Sequence, residues 1–169
     1  DVQKALPVAC AIEMLHTYSL IHDDMPCMDN DVLRRGRPTN HVVYGECTAT
    51  LAGDTLQAEA FGTILRTKLP AERKAHCAEI LAGAVGIDGM CAGQYLDMCW
   101  EGKSLSEQEL TEINSRKTGA LLVAACQMGV AAAGGTDLML EQYFYRTQYI
   151  LHQIILIFLL LIWEFLDVH

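Results

Sequence analysis

Residues 5–29 read ALPVACAIEMLHTYSLIHDDMPCMD, an apolar helical pattern that ends in acidic residues. Its apolar side chains recur at the three- and four-residue spacing of one helix face, at Val8, Ile12 and Leu15. Pro26 disfavours the helical conformation of the residue before it. We therefore expect a first helix that ends near Asp24.

Two further long helices are predicted downstream of this segment. A loop containing Pro38 leads to a second helix over roughly residues 43–66. Pro70 is then suited to be the first residue of a third helix, which continues toward Trp100. Proline is favoured there because the first helical N–H has no partner within the helix.

A fourth helix is predicted by its start and stop signals. Ser104 and Ser106 are each followed three residues later by a glutamate, so two overlapping capping boxes open a helix that reaches about Ala133. The Gly-Gly pair at 134–135 ends it, and the segment from Leu138 fits a helix or a strand. No alternating run elsewhere favours a sheet, so we predict an all-α bundle of long helices.

Length, charge and cysteine content restrict the class of protein. A chain of 169 residues suits one domain over residues 1–169. The formal net charge of −9, without a Lys/Arg block, argues against a nucleic-acid binder. Seven cysteines without a C-x-x-C pair suit free thiols in a reducing compartment, so we expect a cytoplasmic protein.

The two ends of the sequence prompt separate expectations. The chain starts inside a helical pattern without Met or a signal peptide, so we expect that an N-terminal portion is absent. Ile154–Trp163 is an unbroken apolar run of about half the roughly 20 residues needed to cross a bilayer. We therefore expect a core helix there, and not an integral membrane protein.

The sharpest chemical feature is an acidic cluster followed by an arginine cluster. The carboxylates lie at the predicted end of the first helix, at Asp23, Asp24, Asp29 and Asp31. They repel one another and the partial negative charge of the helix C-terminus unless a cation intervenes. Three arginines follow closely, at Arg34, Arg35 and Arg37. Mutual salt bridges in a solvated loop would explain this pattern, but so would carboxylates that hold magnesium beside arginines that hold a diphosphate.

The sequence resembles the trans-isoprenyl diphosphate synthases, also called the polyprenyl synthetase family, and is most similar to the bacterial farnesyl type. Residues 16–29, HTYSLIHDDMPCMD, and 33–39, LRRGRPT, are similar to the first aspartate-rich motif in its long form. Further matches follow in family order at Leu51-Ala52-Gly53-Asp54, Gly93-Gln94-Tyr95-Leu96-Asp97 and Arg116-Lys117-Thr118-Gly119-Ala120-Leu121. The similarity covers about residues 5–135 and implies the isoprenoid synthase fold, a helical bundle around a central cavity.

The resemblance implies a metal and diphosphate site. Asp23, Asp24 and Asp29 would coordinate more than one Mg²⁺ ion, with Asp23 and Asp29 as the first candidates for direct ligands. Arg34 would bind the allylic diphosphate and Arg35 the diphosphate of isopentenyl diphosphate.

Other positions are assigned to the same substrates by the resemblance. His16, two helical turns or about 10 Å before Asp23, matches a histidine that binds isopentenyl diphosphate. Lys117 and Thr118 match a pair that holds the allylic diphosphate near the developing carbocation. Gln94 and Asp97 share a helix face and are expected to line the same cavity. For His16 and Lys117 the simpler interpretations are a structural histidine and an exposed lysine.

The implied reaction is a prenyl transfer by ionisation. In it, magnesium and basic side chains would stabilise the departing diphosphate, and the double bond of isopentenyl diphosphate would attack the allylic carbocation before a proton is lost. The resemblance implies dimethylallyl or geranyl diphosphate as the allylic partner. Tyr18, five residues before Asp23, is expected to stop elongation at fifteen carbons and give farnesyl diphosphate. A geranylgeranyl diphosphate synthase is the alternative, and family members usually form homodimers.

The C-terminal part departs from the family pattern over residues 143–169. Where the second aspartate-rich motif is expected, only Asp167 and the conservative Glu164 remain, and Trp163 replaces a carboxylate. Three interpretations stay open: an altered or incorrectly determined tail on an ordinary synthase, a non-catalytic subunit that binds prenyl diphosphates, and a relative that ionises them without condensation.

Overall fold

The chain folds almost entirely into helices. The structure, a computed structural model, describes residues 2–150. Its long helices are α1 (Val2–Asp23), α3 (Glu46–Leu65), α4 (Ala71–Val85), α5 (Met90–Trp100), α6 (Glu107–Asn114) and α7 (Ala120–Ala133). A short α2 (Asn40–Tyr44) precedes α3, a π-helical turn (Ser115–Gly119) joins α6 to α7, and residues 137–150 are helical. The all-α prediction is confirmed.

One small hairpin interrupts the helical pattern. Strands β1 (Leu33–Arg34) and β2 (Arg37–Pro38) pair antiparallel across the turn formed by Arg35 and Gly36. Both turn residues have positive φ, 52° and 75°, as a two-residue turn that matches the strand twist requires. These strands were not predicted, because they are too short to show an alternating pattern.

Helix α1 ends at Asp23, one residue before the predicted end. Its buried face joins α3, α4 and α7 in one apolar core. The core members from α1 are Val8, Ala11 and Leu15, and the opposing helices contribute Ala60, Ile64, Cys77, Leu81, Met128 and Ala131. Many of these side chains are small, so the helix axes can approach closely around α1.

The predicted second and third helices are each divided in two. Helix α2 starts before residue 43, and the chain breaks at Gly45, which adopts φ 85°. Pro70 is the N-cap residue of α4, directly before the first helical residue, Ala71. The break between α4 and α5 falls at Gly86–Gly89, where a Cβ on Gly89 would lie 2.0 Å from the Ala84 carbonyl oxygen. Only glycine permits so tight a return of the backbone.

The fourth helix begins and ends as predicted, with one addition. The Ser106 hydroxyl accepts from the Glu109 N–H at 3.3 Å, and the Glu109 carboxylate accepts from the Ser106 N–H at 2.8 Å. Of the two overlapping capping boxes, the second therefore starts the helix. Gly134 ends it in the left-handed region at φ 82°. The π-helical turn in its middle was not predicted, because the extra residue leaves no mark in the apolar pattern.

Predictions about the tail lie mostly beyond the described part of the chain. Helical residues 137–150 include the start of the divergent segment. The apolar run Ile154–Trp163 and the candidates Glu164 and Asp167 lie outside the described residues. Within residues 2–150, no helix combines the length and the apolar character required to cross a bilayer.

The buried face of α1 should dominate the stability of the bundle. We expect Leu15→Ala to lower the free energy of unfolding by roughly 2–5 kcal/mol, because the side chain is fully buried, at 0% exposure. Leu6→Ala is the matched control on the same helix, since Leu6 is 54% exposed and its loss should cost less than about 0.5 kcal/mol. Urea unfolding of the full-length protein measures both, and equal losses would contradict this assignment of the core.

Candidate active site

A mostly apolar cavity of about 540 Å³ lies between α1, α5, the π-helical turn and α7. Its apolar wall includes Ile12, Leu20, Met90, Leu121 and Leu122. Several side chains predicted from the sequence line it together, namely His16, Tyr18, Asp23, Gln94, Lys117 and Thr118. These residues come from three separate elements, so the fold brings the predicted motifs into one site.

Asp23 is the centre of a polar network at one end of the cavity. Its Oδ1 accepts a hydrogen bond from Gln94 Nε2 at 2.6 Å and lies 3.8 Å from Lys117 Nζ. Its Oδ2 lies 3.5 Å from Arg34 Nη2. Helices α1 and α5, the hairpin and the π-helical turn therefore meet at this one carboxylate.

Among the described residues, Arg34 is the one side chain that binds the Asp24 carboxylate. Arg34 Nε donates to both carboxylate oxygens, at 2.8 and 3.0 Å, and Nη2 lies 2.6 Å from Oδ1. Asp24 is only 4% exposed, so its carboxylate is shielded from solvent, whereas Arg34 is partly exposed. The hydrogen bond to Asp24 is the main cause that raises the pKa of Arg34. This pair orients the guanidinium, which also reaches Asp23.

Asp29 returns to the end of α1 through the loop. Its N–H donates to the Asp23 carbonyl oxygen at 3.0 Å, and Asn30, at φ 54°, donates to the Met25 carbonyl oxygen at 3.1 Å. Desolvation by burial raises the pKa of Asp29, and the negative charge of Asp23 raises it further. The loop thus places Asp29 where burial and the charge of Asp23 disfavour its charged form.

Arg35 lies apart from this network. It occupies the first position of the hairpin turn with φ 52°, and its side chain is exposed. The turn therefore directs Arg34 and Arg35 to different surroundings, although they are adjacent in the sequence. Arg35 is not among the residues that line the cavity.

Lys117 connects the π-helical turn to α5. Its Nζ donates to Asp97 Oδ2 at 2.6 Å. Burial lowers the pKa of Lys117, but the hydrogen bond to Asp97 and the charges of Asp23 and Asp97 outweigh it, so the pKa is raised. The ammonium stays charged at the cavity wall. Asp97 was predicted to line the cavity, and it instead holds the lysine that does so.

Tyr18 adds an aromatic ring to the cavity wall at a different position along α1 from Asp23. Its ring contacts the ring of His22 edge to face, with centroids 4.8 Å apart and planes at 70°. Burial raises the pKa of Tyr18 to about 12, and the neighbouring Cys91 thiol adds to the shift. The hydroxyl therefore remains neutral and leaves an uncharged surface in the cavity.

Gly93, the first residue of the matched motif at residues 93–97, has a packing role that the sequence did not reveal. A Cβ there would lie 2.2 Å from the Lys117 backbone nitrogen and 2.6 Å from its Cα. Helix α5 thus touches the backbone of the π-helical turn, and this contact brings Gln94 and Lys117 to the same carboxylate. The sequence does show a glycine directly before Gln94. That this glycine is needed for close packing cannot be read from it, because the packing partner, Lys117, lies more than twenty residues away.

The carboxylates do not form a preassembled metal cage. Within residues 2–150, no three or more His, Cys, Asp or Glu side chains are grouped so that they alone would hold a metal ion. The donors near the cavity mouth are carboxylate oxygens, which are hard ligands of the type that Mg²⁺ prefers. Mg²⁺ is commonly held by one or two carboxylates together with substrate phosphates. The chemistry of this donor set fits such an arrangement.

Fold and site together define an all-helical protein with an apolar cavity and a charged mouth. The family model for polyprenyl synthetase matches residues 1–155. The chain therefore belongs to the polyprenyl synthetase family. Its fold is the all-α isoprenoid synthase fold.

Known relatives agree with this membership. The chain is 52% identical to farnesyl diphosphate synthase of Geobacillus stearothermophilus over 140 residues, which cover 81% of the chain and 47% of that protein. It is 46% identical to a chloroplastic geranylgeranyl pyrophosphate synthase of Capsicum annuum over 144 residues, 83% of the chain and 39% of that protein. The chain spans about half the length of the curated relatives it matches, or less.

Solved structures share the arrangement of helices. The geranyltransferase of Legionella pneumophila superposes with a TM-score of 0.83 at 39% identity, over 89% of this chain and 55% of that one. An FPP/GFPP synthase of Zymomonas mobilis gives a TM-score of 0.82 at 38% identity, over 88% of this chain and 55% of that one.

The contact between Gly93 and the π-helical turn can be tested by stability. We expect Gly93→Ala to lower the free energy of unfolding by roughly 1–3 kcal/mol, because the new methyl group meets backbone atoms that no side-chain rotation can move. Gly129→Ala is the control, since a Cβ there meets nothing within 4 Å and should stabilise the helix by about 0.5–1 kcal/mol. Chemical unfolding measures both variants; a Gly93→Ala protein as stable as Gly129→Ala would contradict the close contact.

Proposed function

We propose that the full-length protein is a trans-prenyltransferase that condenses isopentenyl diphosphate with dimethylallyl or geranyl diphosphate to give farnesyl diphosphate. The network around Asp23, at one end of an apolar cavity, carries this proposal. A diphosphate needs cations and hydrogen-bond donors, whereas a prenyl chain needs apolar walls. The site offers both within one cavity, and the similarity to farnesyl diphosphate synthases supports the same activity.

Magnesium is the proposed cofactor. Asp23 and Asp29 are the first candidates for ligands, because Arg34 already engages both oxygens of Asp24. Desolvation by burial, and after it the negative charge of Asp23, raises the pKa of Asp29, and a bound cation would offset both effects. When bound, magnesium would supply positive charge to the departing diphosphate. Asp24 contributes through its ion pair, which keeps the Arg34 guanidinium at the site.

The chain's own cations stabilise the leaving group. The bond between the allylic carbon and the diphosphate oxygen breaks, and its electron pair leaves with the diphosphate. Arg34 and Lys117 present fixed positive charge to that developing negative charge, and the Thr118 hydroxyl can donate a hydrogen bond. Because Asp24 and Asp97 already orient the two cations, little reorganisation is needed at the moment of reaction.

The second substrate is proposed to enter beside the first. His16, which lines the cavity, and Arg35, at the exposed hairpin turn, are the proposed partners of isopentenyl diphosphate. The electron pair of its double bond forms the new carbon–carbon bond to the allylic cation, and a proton then leaves. The apolar cavity wall limits access of water, which would otherwise capture the cation.

Tyr18 is the proposed limit to product length. Its ring lies in the wall of the cavity about 7.5 Å along the helix from Asp23, given a rise of about 1.5 Å per residue. The chain is also similar to geranylgeranyl diphosphate synthases, so a twenty-carbon product is the second candidate. The bulk of Tyr18 favours the shorter product.

We also propose that the protein works in the cytoplasm as a homodimer. All seven cysteines are free, and six of them are exposed, which suits a reducing compartment. Large apolar side chains are exposed around α2 and the start of α3, at Val42, Val43, Tyr44 and Leu51. Such a group is suited to packing against a second copy. Sedimentation analysis of the full-length protein tests the dimer.

The activity is tested with the full-length protein, its tail verified by intact mass. Isopentenyl and dimethylallyl diphosphates are added with Mg²⁺, and the dephosphorylated products are separated by chromatography. We expect fifteen-carbon farnesol, which a chelator should abolish. Binding of the diphosphates without any product would instead identify a non-catalytic subunit.

Lys117 should matter for turnover more than for folding. We expect Lys117→Met to lower kcat by roughly 10²- to 10³-fold, the usual effect of removing one preorganised donor from a developing charge. Lys103→Met is the control, because Lys103 Nζ bonds the Cys99 carbonyl oxygen and is not part of the cavity wall. Steady-state kinetics measures both variants, and similar rates for them would remove Lys117 from the proposed mechanism.

Product length should respond to the volume of Tyr18. We expect Tyr18→Ala to shift products beyond fifteen carbons, because the cavity deepens where the ring is removed. Tyr18→Phe keeps the ring and should leave the products unchanged. Chromatography of the dephosphorylated products decides, and the role of Tyr18 is wrong if the Ala variant still stops at fifteen carbons.

A further inference from the structure

His22 is seated in a notch on the surface of α3. A Cβ built on Gly53 would lie 2.1 Å from His22 Nε2 and 2.4 Å from Cδ2, so the ring fills the space that a side chain at position 53 would need. Nε2 lies 3.0 Å from the Thr50 carbonyl oxygen. Because a carbonyl oxygen only accepts, Nε2 carries the proton in this bond.

This seat places the imidazole against Tyr18. The two residues are one helical turn apart on α1 and therefore share a face. Their rings make the edge-to-face contact at 4.8 Å, and both side chains line the cavity. The Nε2–H of His22 is engaged by α3, so His22 contacts Tyr18 through the face or edge of its ring.

We infer that His22, held in the Gly53 notch, is a positioning residue that fixes the Tyr18 ring and thereby helps to set product length. The inference rests on the proposed function and on the proposed role of Tyr18 as the limit of the cavity. A tyrosine ring without a neighbour can turn about two side-chain bonds. The imidazole restricts that motion, and the hydrogen bond to Thr50 together with the notch restricts the imidazole.

Three variants of the full-length protein test the inference through the lengths of its products. His22→Ala removes the imidazole ring and puts no larger group in its place. We expect it to raise the ratio of longer products to the fifteen-carbon product roughly 2- to 10-fold, the factor that corresponds to the interaction energy of one aromatic pair. His22→Phe keeps an aromatic ring and should stay close to the original ratio. Gly53→Ala should displace the imidazole and change the ratio, whereas the control Gly83→Ala, which meets nothing within 4 Å, should not.

The double variant His22→Ala/Tyr18→Ala separates an indirect role from a direct one. If His22 acts through Tyr18, the double variant gives the same products as Tyr18→Ala alone. A further lengthening in the double variant would overturn the inference, because His22 would then limit product length directly and not through Tyr18. Unchanged product lengths in His22→Ala, with full turnover, would overturn it as well.

The same assay distinguishes this inference from the function on which it rests. An original protein that forms no prenyl product overturns the proposed function and the inference together. An original protein that forms product, beside a His22→Ala variant with the same product lengths, overturns the inference alone. Thermal unfolding of each variant accompanies the assay, so that Gly53→Ala is compared only at temperatures where it is folded.

Discussion

Carboxylates at the C-terminal end of a helix repel one another and the partial negative charge of that helix end. Asp23 and Asp24 are placed there, and the loop returns Asp29 to the Asp23 backbone at 3.0 Å. The arrangement is tolerated because cations and donors come from elsewhere in the chain. Arg34 neutralises Asp24, and Gln94 and Lys117 approach Asp23. The hairpin, α5 and the π-helical turn each contribute a side chain that contacts this acidic helix end.

Glycine allows those elements to come close enough. At Gly93, α5 touches the Lys117 backbone, and at Gly53, α3 receives the His22 ring. In both places a single methyl group would overlap atoms of the neighbouring element. At Gly93 the overlapped atoms are backbone atoms that cannot turn aside, and at Gly53 they belong to the His22 ring, which would be displaced, so two small residues control the geometry of the site. The chemistry at the mouth and the shape of the cavity therefore depend on residues that contact no substrate in the proposed mechanism.

The cavity combines a charged end with an apolar wall that excludes water. At its polar end, Lys117 lines the cavity and is held by Asp97, and Arg34, beside the cavity, is held by Asp24. Its remaining wall is built from apolar side chains and the neutral Tyr18. In an environment of low polarity, fixed charges act more strongly on a developing diphosphate charge than they would in water. This contrast is the physical basis of the proposed ionisation.

Local signals in the sequence were enough for much of the fold. The end of α1, the capping box at Ser106 and the glycine stop after Ala133 depend on neighbouring residues, and each was predicted correctly. The breaks at Gly45 and Gly86–Gly89 were missed. A glycine inside an apolar pattern is compatible with a helix or a turn, and contacts between separate elements select one of them.

In the functional site, too, some features follow from the sequence and others from contacts between separate elements. The sequence by itself determined the family and which side chains belong together, because four ordered motifs carry them. Only the tertiary structure decided their pairing: Asp24 with Arg34, Lys117 with Asp97, Gln94 with Asp23, and His22 with the Gly53 notch. Spacing along a chain specifies a shared helix face, but it does not specify how closely two helices approach. That distance is set by the packing of side chains from distant segments, and in this protein by two glycines.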